Sequence, residues 1–597
     1  MSTYDDRLRA LRDELSQRKL DGFVVPLTDE HMSEYVGAYA QRLAWLTGFQ
    51  GSAGSAVVLP AEAAIFVDGR YTLQVREQVD GRNWSFQSVP ETSVAEWLGQ
   101  KAGEGARIGY DPWLHSRNWV VAARRALAAR GAELVAIDSN PVDSVWPDQP
   151  RPSAARLVVH PDEFSGETSQ SKRDRLAERL RQEGVDTAVL SALDSVAWLF
   201  NVRGTDVERT PVALAYAALD ADGSADLFVA LEKLSDEVRA HLGPDVRVHS
   251  RSEFPAWLRS QKGRRVLVDP ERSVAAIFEA LASAEAQIIE QRDPVVLPKA
   301  VKNVAEIAGH KAAQLRDGAA LCRFLHWFDA EAAKGDLTEI DAAEKLHAFR
   351  QDTGQLRDLS FDTIAGAGPN GAIVHYRVTP ETNRRIEPGS LFLLDSGGQY
   401  PDGTTDVTRT IAVGTPDDEM RDRFTRVLKG HIALASIVFP RGTRGSQLDV
   451  LARQFLWAAG LDYAHGTGHG VGSYLSVHEG PQRIATGGAL DEPLQPGMII
   501  SNEPGYYKTG AYGIRIENLV LVEDREIAGA ERQMLGFETL TLAPIDRTLI
   551  DARLLTAEEA AWVDGYHAMV LSRLGDLVPA EVRAWLEKVC RPLASQD

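Results

Sequence analysis

Residues 391–397 read Leu-Phe-Leu-Leu-Asp-Ser-Gly, an apolar run that ends in an acid. Large hydrophobic residues in succession predict a buried strand, and an ionised Asp395 at its end loses solvation. Such a carboxylate has to be ion-paired, hydrogen-bonded or bound to a metal. Asp406 follows in Asp-Gly-Thr-Thr-Asp-Val-Thr-Arg-Thr (402–410), where the Asp402-Gly403 pair predicts a hairpin joining two strands. That hairpin would bring both carboxylates together. Taken alone, the pair fits equally well one structural acid and one exposed acid.

The run His465-Gly466-Thr467-Gly468-His469-Gly470-Val471-Gly472 presents two imidazoles on a backbone whose alternating glycines allow close approach to a site. It has neither the spacing of a phosphate loop nor the lysine that follows one, which argues against nucleotide binding. His478 comes next, in Val477-His478-Glu479-Gly480-Pro481. Two further acids follow apolar, strand-like runs: Glu503 after Met498-Ile499-Ile500-Ser501-Asn502, and Glu517 after Ile514-Arg515-Ile516. Crowded together, Asp395, Asp406, Glu503 and Glu517 repel one another, so the set calls for compensating positive charge. Two divalent metal ions per subunit supply it, with His469 donating as a neutral imidazole. An oxygen-rich, thiolate-free set suits manganese better than a structural zinc. The only cysteines, Cys322 and Cys590, make neither a CxxC metal site nor a disulfide framework.

At 597 residues the chain exceeds what one core organises, which predicts a multidomain protein. Its formal charge of −20 disfavours nucleic acid, whose binding needs clustered Lys and Arg. The start, Met1 to Asp6, lacks a basic patch followed by an apolar run, and no segment approaches the roughly 18 uncharged apolar residues of a membrane span. The expectation is a cytoplasmic protein with no nucleic-acid and no membrane partner.

Along the chain, an α/β order appears twice. A helix from Asp6, the strand Gly22-Phe23-Val24-Val25, the triplet Ala44-Trp45-Leu46 and strands near Val57 and Phe66 are echoed downstream. There a helix opens at Asp174, Thr187-Ala188-Val189-Leu190 is a strand, Ala197-Trp198-Leu199 follows, and Val212 to Tyr216 is a strand. The polar, proline-rich stretch from Ser139 to Pro152 reads as a linker, and a long helix is predicted from Val301 to Ala333. The domains so expected are 1–155, 156–298 and 299–597, the last with a helical extension from about 550.

Residues 301–550 resemble the pita-bread metallopeptidases, and the whole chain is similar to the three-domain aminopeptidase P group of that family. At the front, Trp45-Leu46-Thr47-Gly48-Phe49-Gln50-Gly51-Ser52-Ala53-Gly54 and Asp68-Gly69-Arg70-Tyr71 carry the likeness. The resemblance implies two tandem creatinase-like α/β domains followed by a pita-bread catalytic domain, an α/β (α+β) fold. It also implies that Asp395, Asp406, His469, Glu503 and Glu517 ligate two metals, and that a hydroxide bridging them attacks X-Pro-Y peptides behind the first residue. Glu503 then doubles as proton shuttle, while His375, His465 and His478 line the pocket as catalytic and substrate-binding groups. Arg515 is implied in holding either substrate or a ligand carboxylate, and Arg70 in reaching the active site of a neighbouring subunit of a homodimer. Arg377-Val378 stands where the family commonly has Ala-Pro. The stretch from Leu555 to Leu593, with Trp562, Tyr566, Trp585 and Leu586, reads as a dimerisation element or as packing on its own domain. The rival readings are a prolidase-like X-Pro dipeptidase, which would normally carry one front domain, and a non-catalytic peptide-binding module, which would have lost a ligand.

Overall fold

A computed structural model describes residues 3–89, 91–487 and 491–593. Its contacts divide the chain into a front unit, residues 1–162 with 167–296, and a second unit, residues 297–597 with 163–166.

The front unit is built from one plan used twice. In each half the strand order is fourth, third, second, first, fifth, sixth. The first sheet runs Ser85–Ser88, Ala63–Val67, Ser55–Val58, Gly22–Pro26, Arg107–Tyr110, Glu133–Ala136, and the second runs Val246–Ser250, Ala225–Val229, Ala215–Asp220, Thr187–Leu190, Arg265–Val268, Gln287–Glu290. The directions match as well. The first strand of each sheet is antiparallel to the second and parallel to the fifth. Each half opens with a helix capped by a threonine: Thr3 caps Tyr4–Gln17 and Thr168 caps Ser169–Gln182. The two Ala-Trp-Leu triplets lie on equivalent helices, Arg42–Thr47 and Leu193–Phe200, and Leu46 and Leu199 are fully buried.

Three expectations need correction here. The second opening helix begins at Ser169, ahead of Asp174, because the Thr168 hydroxyl accepts from the Ser171 N–H. The strand expected from Val212 starts at Ala215. Pro211 has no N–H, and the amides of Val212 and Leu214 donate instead to the Thr210 carbonyl and the Asp206 carboxylate. The supposed linker contains a docked helix, Pro141–Val145, capped by Asn140 and clamped by Arg42, which donates to both oxygens of Asp143 at 2.7 and 2.8 Å.

In the second unit a helix pair precedes each group of strands. The long helix is Val304–Ala332, closed at its start by a capping box of Asn303 and Glu306, and it is followed by Glu339–Gln351. The three-stranded sheet Ile364–Ala367, Ser390–Ser396, Val407–Val413 comes next. A second pair, Asp418–Ser436 and Gly445–Trp457, leads to a six-stranded sheet of Phe439–Pro440, Met534–Thr539, Asn518–Arg525, Ile499–Asn502, Gly468–Gly470 and Glu479–Ile484. This is the pita-bread arrangement that the resemblance implied. The helices Ala557–Leu574 and Ala580–Val589 close the unit, with Tyr566 and Leu586 inside its core and Trp562 and Trp585 packed against it. Part of the aromatic face of this segment thus packs on its own unit, Trp562 and Trp585 staying partly exposed.

Candidate active site

Asp395 occupies the central strand of the three-stranded sheet, paired with Ile364 on one side and Thr408 on the other. The chain returns through two short strands, Gly398–Tyr400 and Gly403–Thr404, so that Ser396 pairs with Val407 and Asp406 stands just ahead of the returning strand. The hairpin is therefore present, but its two-residue turn is Pro401-Asp402. Gly403 is there because a Cβ would come within 3.0 Å of the His310 Cα on the long helix.

Two glycines let the His469 backbone sit between its neighbours. A Cβ on Gly468 would meet the Ser501 carbonyl at 1.9 Å, and one on Gly470 would meet the Glu479 carbonyl at 2.2 Å. His469 Nδ1 donates to the Gly470 carbonyl (2.9 Å), which turns Nε2 toward Asp406 Oδ2 and Glu503 Oε1, each 3.4 Å away. Ser501 supports both partners: its hydroxyl accepts from the His469 N–H (2.9 Å) and donates to Glu503 Oε1 (3.1 Å). Ligand atoms of Asp406, His469 and Glu517 lie within 4.8 Å of one another.

The electrostatics follow from burial and crowding. Burial, joined by the charges of Asp395 and Glu503, raises the Asp406 carboxyl to about 6. Burial and the same neighbours, with Asp406, push Glu517 well above the usual carboxylate range. Burial opposes a charge on His469, but the hydrogen bond to Asp406 and the charge of Glu503 outweigh it and lift the ring to about 9. The donors fit a divalent cation. Asp395 Oδ1 and Glu517 Oε1 are buried without a hydrogen-bond partner, and carboxylate and imidazole donors suit a borderline or hard ion.

Arg515 is buried beneath this set. Its Nη2 donates to Asp395 Oδ2 (2.7 Å), its Nε to the Thr408 hydroxyl (3.2 Å) and its Nη1 to the Tyr507 hydroxyl (2.7 Å). Of the two roles expected of Arg515, this geometry matches the grip on a ligand carboxylate. His465 Nε2 meets the same Tyr507 hydroxyl at 2.8 Å, so a chain of polar contacts runs from Asp395 to His465. Burial raises Tyr507 to about 12, which keeps its hydroxyl protonated. His478 stands edge-on to His469 with ring centres 4.4 Å apart, and His375 stacks on His478 at 6.4 Å. Arg377 pairs with Asp362 at 2.9 Å, half exposed beside His375. Arg70 lies in the front unit, where Asp68 accepts from its guanidinium (2.8 Å) and Glu34 stands at 3.7 Å.

Sequence reasoning missed Tyr507, and it missed the support of Glu479, next to His478. Lys299 Nζ donates to Glu479 at 2.6 Å and Lys302 Nζ donates to its other oxygen, all three side chains being buried. The signal for Tyr507 was slight: in Gly505-Tyr506-Tyr507-Lys508 strand alternation sends the tyrosines to opposite faces, but not which one goes inward.

The comparisons with known proteins cover the whole chain. Residues 308–524 match the family described as Metallopeptidase family M24, and 533–593 match its C-terminal region. Residues 7–144 and 148–306 each match a Creatinase/Prolidase N-terminal domain. A probable Xaa-Pro aminopeptidase P of Aspergillus fumigatus is 41% identical over 98% of this chain and 92% of its own, and one of Aspergillus niger is 40% identical over 100% of both. Among solved structures, an X-prolyl aminopeptidase from Caenorhabditis elegans, described as a cytosolic enzyme with a di-nuclear active site, superposes with a TM-score of 0.94. It is 36% identical over 99% of this chain and 100% of its own. A prolidase from Thermococcus sibiricus shares the fold over 64% of this chain (TM-score 0.51, 24% identity, 98% of its own length).

Proposed function

This chain belongs to metallopeptidase family M24, and from that premise we propose that it removes the first residue from peptides whose second residue is proline. The observation that carries the reading is the full-length similarity to X-Pro aminopeptidases, both front repeats and the C-terminal region included. An X-Pro dipeptidase is the weaker alternative, because the prolidase likeness reaches only 64% of the chain.

Asp395, Asp406, His469, Glu503 and Glu517 would hold two divalent cations, manganese by the chemistry of the donors. Bound there, the ions supply positive charge that acidifies water and polarises a carbonyl. Glu503, fixed by Ser501, takes the proton of the attacking water and returns it to the proline nitrogen that leaves. His375 and His478 border the reacting carbonyl, and His465, steadied by Tyr507, faces the substrate from the other end of the polar chain. Proline needs such an enzyme because its ring fixes φ and its imide nitrogen has no hydrogen for strand-like recognition.

The proposal extends to the assembly. The enzyme acts in the cytoplasm as a homodimer, with Arg70 reaching the partner's active site and domain divisions near residues 155 and 298. Among the described residues no helix is long and apolar enough to cross a membrane.

The test is release of the N-terminal residue from Arg-Pro-Pro, Arg-Ala-Ala and the dipeptide Arg-Pro by protein stripped with chelator and reloaded with Mn²⁺. Cleavage of Arg-Pro-Pro alone is expected. Equal cleavage of Arg-Ala-Ala would refute the proline specificity, and preference for Arg-Pro would turn the reading to a dipeptidase.

A further inference from the structure

One buried cation outside the ligand set touches both that set and the C-terminal helices. Arg409 is 2% exposed and lies on the strand Val407–Val413. Its Nε donates to the Pro544 carbonyl (3.1 Å), and its Nη1 donates to the carbonyls of Thr408 (2.8 Å) and Glu517 (2.7 Å). Its Nη2 donates to Asn518 Oδ1, the Ala543 carbonyl and the Tyr566 hydroxyl, each at 2.8 Å. All these acceptors are neutral. A guanidinium so deeply buried without a carboxylate among its acceptors is tolerated only where dipoles saturate it, which makes its position rigid.

Glu517 is held at three points, one by Arg409 itself and two by its neighbour Thr408, whose carbonyl Arg409 also binds. The Glu517 N–H donates to the Thr408 carbonyl (3.2 Å), its own carbonyl accepts from Arg409, and its carboxylate Oε2 accepts from the Thr408 hydroxyl (2.7 Å). The other carboxylate oxygen, Oε1, is the one left without a partner. On the far side, Tyr566 belongs to the helix Ala557–Leu574, donates to the Ala543 carbonyl (2.9 Å) and stacks on Trp562 with ring centres 5.4 Å apart. Arg409 therefore connects the helix Ala557–Leu574 to the backbone carbonyl of Glu517, whose carboxylate is held by the adjacent Thr408.

We propose that Arg409 is a positioning residue for Glu517 and that the C-terminal helix acts through it, so that this segment sets the affinity of the site for its metal pair. The inference rests on reading Glu517 as a metal ligand. Partners outside the ligand shell typically change metal affinity by about 10–100-fold when altered.

The test uses the full-length protein, stripped of metal, with Mn²⁺ binding followed by isothermal titration calorimetry in Arg409→Lys, Tyr566→Phe and Glu517→Gln variants. Arg409→Lys is expected to weaken Mn²⁺ binding by about tenfold or more, and Tyr566→Phe by less. The metal-free melting temperature of Tyr566→Phe should stay close to that of the unaltered protein, and kcat should recover at saturating Mn²⁺. If Arg409→Lys does not fold, Tyr566→Phe carries the test by itself. Unchanged Mn²⁺ affinity in the folded variants, while Glu517→Gln loses a binding event, would overturn the inference alone. Retention of both binding events by Glu517→Gln would instead overturn the reading of Glu517.

Discussion

Two clusters of acids, one in each unit, are treated in different ways. In the front unit, Glu30 and Asp29 lie beside His31 and Arg251. Arg251 donates to Glu30 and, at 2.9 Å, to His31 Nε2, while Tyr39 donates to Glu30 at 2.9 Å and His31 Nδ1 donates to the Ser191 carbonyl at 2.8 Å. Burial alone would raise Glu30, but His31 and Arg251 hold it down at about 2, and burial with Arg251 lowers His31 to about 3. The permanent charge of Glu30 is thus matched by that of Arg251, and the network ties the two repeats together. In the second unit four acids, Asp395, Asp406, Glu503 and Glu517, face Arg515 and His469, and two of their carboxylate oxygens lack hydrogen-bond partners, against one, Asp29 Oδ2, in the front cluster. An ion pair such as Glu30 with Arg251 holds a fold together, whereas four acids short of positive charge hold a place for cations.

The largest effect should come from breaking the second of these networks. Asp406→Asn is expected to lower kcat/KM for Arg-Pro-Pro by about 1,000-fold, the scale of a lost electrostatic contact in the transition state, with little loss of folded protein. Activity close to the unaltered enzyme's would mean that Asp406 is structural, like its front-unit counterparts. Breaking the ion pair of the front cluster should do the reverse. Arg251→Met leaves Glu30 buried and unpaired, and a urea titration should show about 3–5 kcal/mol less stability in the front unit with Mn²⁺ affinity unchanged.

A smaller effect separates the two networks by pH in metal-free protein. Asp406 moves up from 3.8 to about 6, so the stability it lends is complete below its unfolded value and is lost as pH rises through about 6. Glu30 moves down from 4.5 to about 2, so its contribution is present above 4.5 and is lost only as pH falls through about 2. Because burial and the charge of Glu30 raise Asp29 to about 6 as well, the two clusters separate on the acid side: peptide-resolved hydrogen exchange, corrected for intrinsic rates, should show the sheet around Glu30 loosening as pH falls from 4 toward 2 while the sheet around Asp406 holds. Parallel behaviour of both sheets would contradict the comparison.

The contrast also explains what the sequence could and could not disclose. Asp395, Glu503 and Glu517 stood out because each interrupts or follows an apolar, strand-like run, a local anomaly that asks for a cation, and Asp406 through the Asp402-Gly403 hairpin that returns the chain beside Asp395. The front repeats were legible through matching local order, down to the two Ala-Trp-Leu triplets. What stayed hidden was partnership across sequence. Arg251 and Glu30 are 221 residues apart, Lys299 and Glu479 are 180 apart, and Arg409 and Tyr566 are 157 apart. Arg409 stood inside a stretch already singled out for Asp406, yet a lone arginine among threonines carries no local sign of its acceptors. The strand misplaced at Val212 failed for a related reason, since the Asp206 carboxylate takes the Leu214 amide that a strand would have used.

The most direct test is an anomalous difference map, recorded at the manganese absorption edge from crystals of the protein grown with Mn²⁺. The account predicts two peaks per chain, enclosed by Asp395, Asp406, His469, Glu503 and Glu517, and none beside Glu30. A single peak, no peak among these five residues, or a peak at the front-unit network would contradict it.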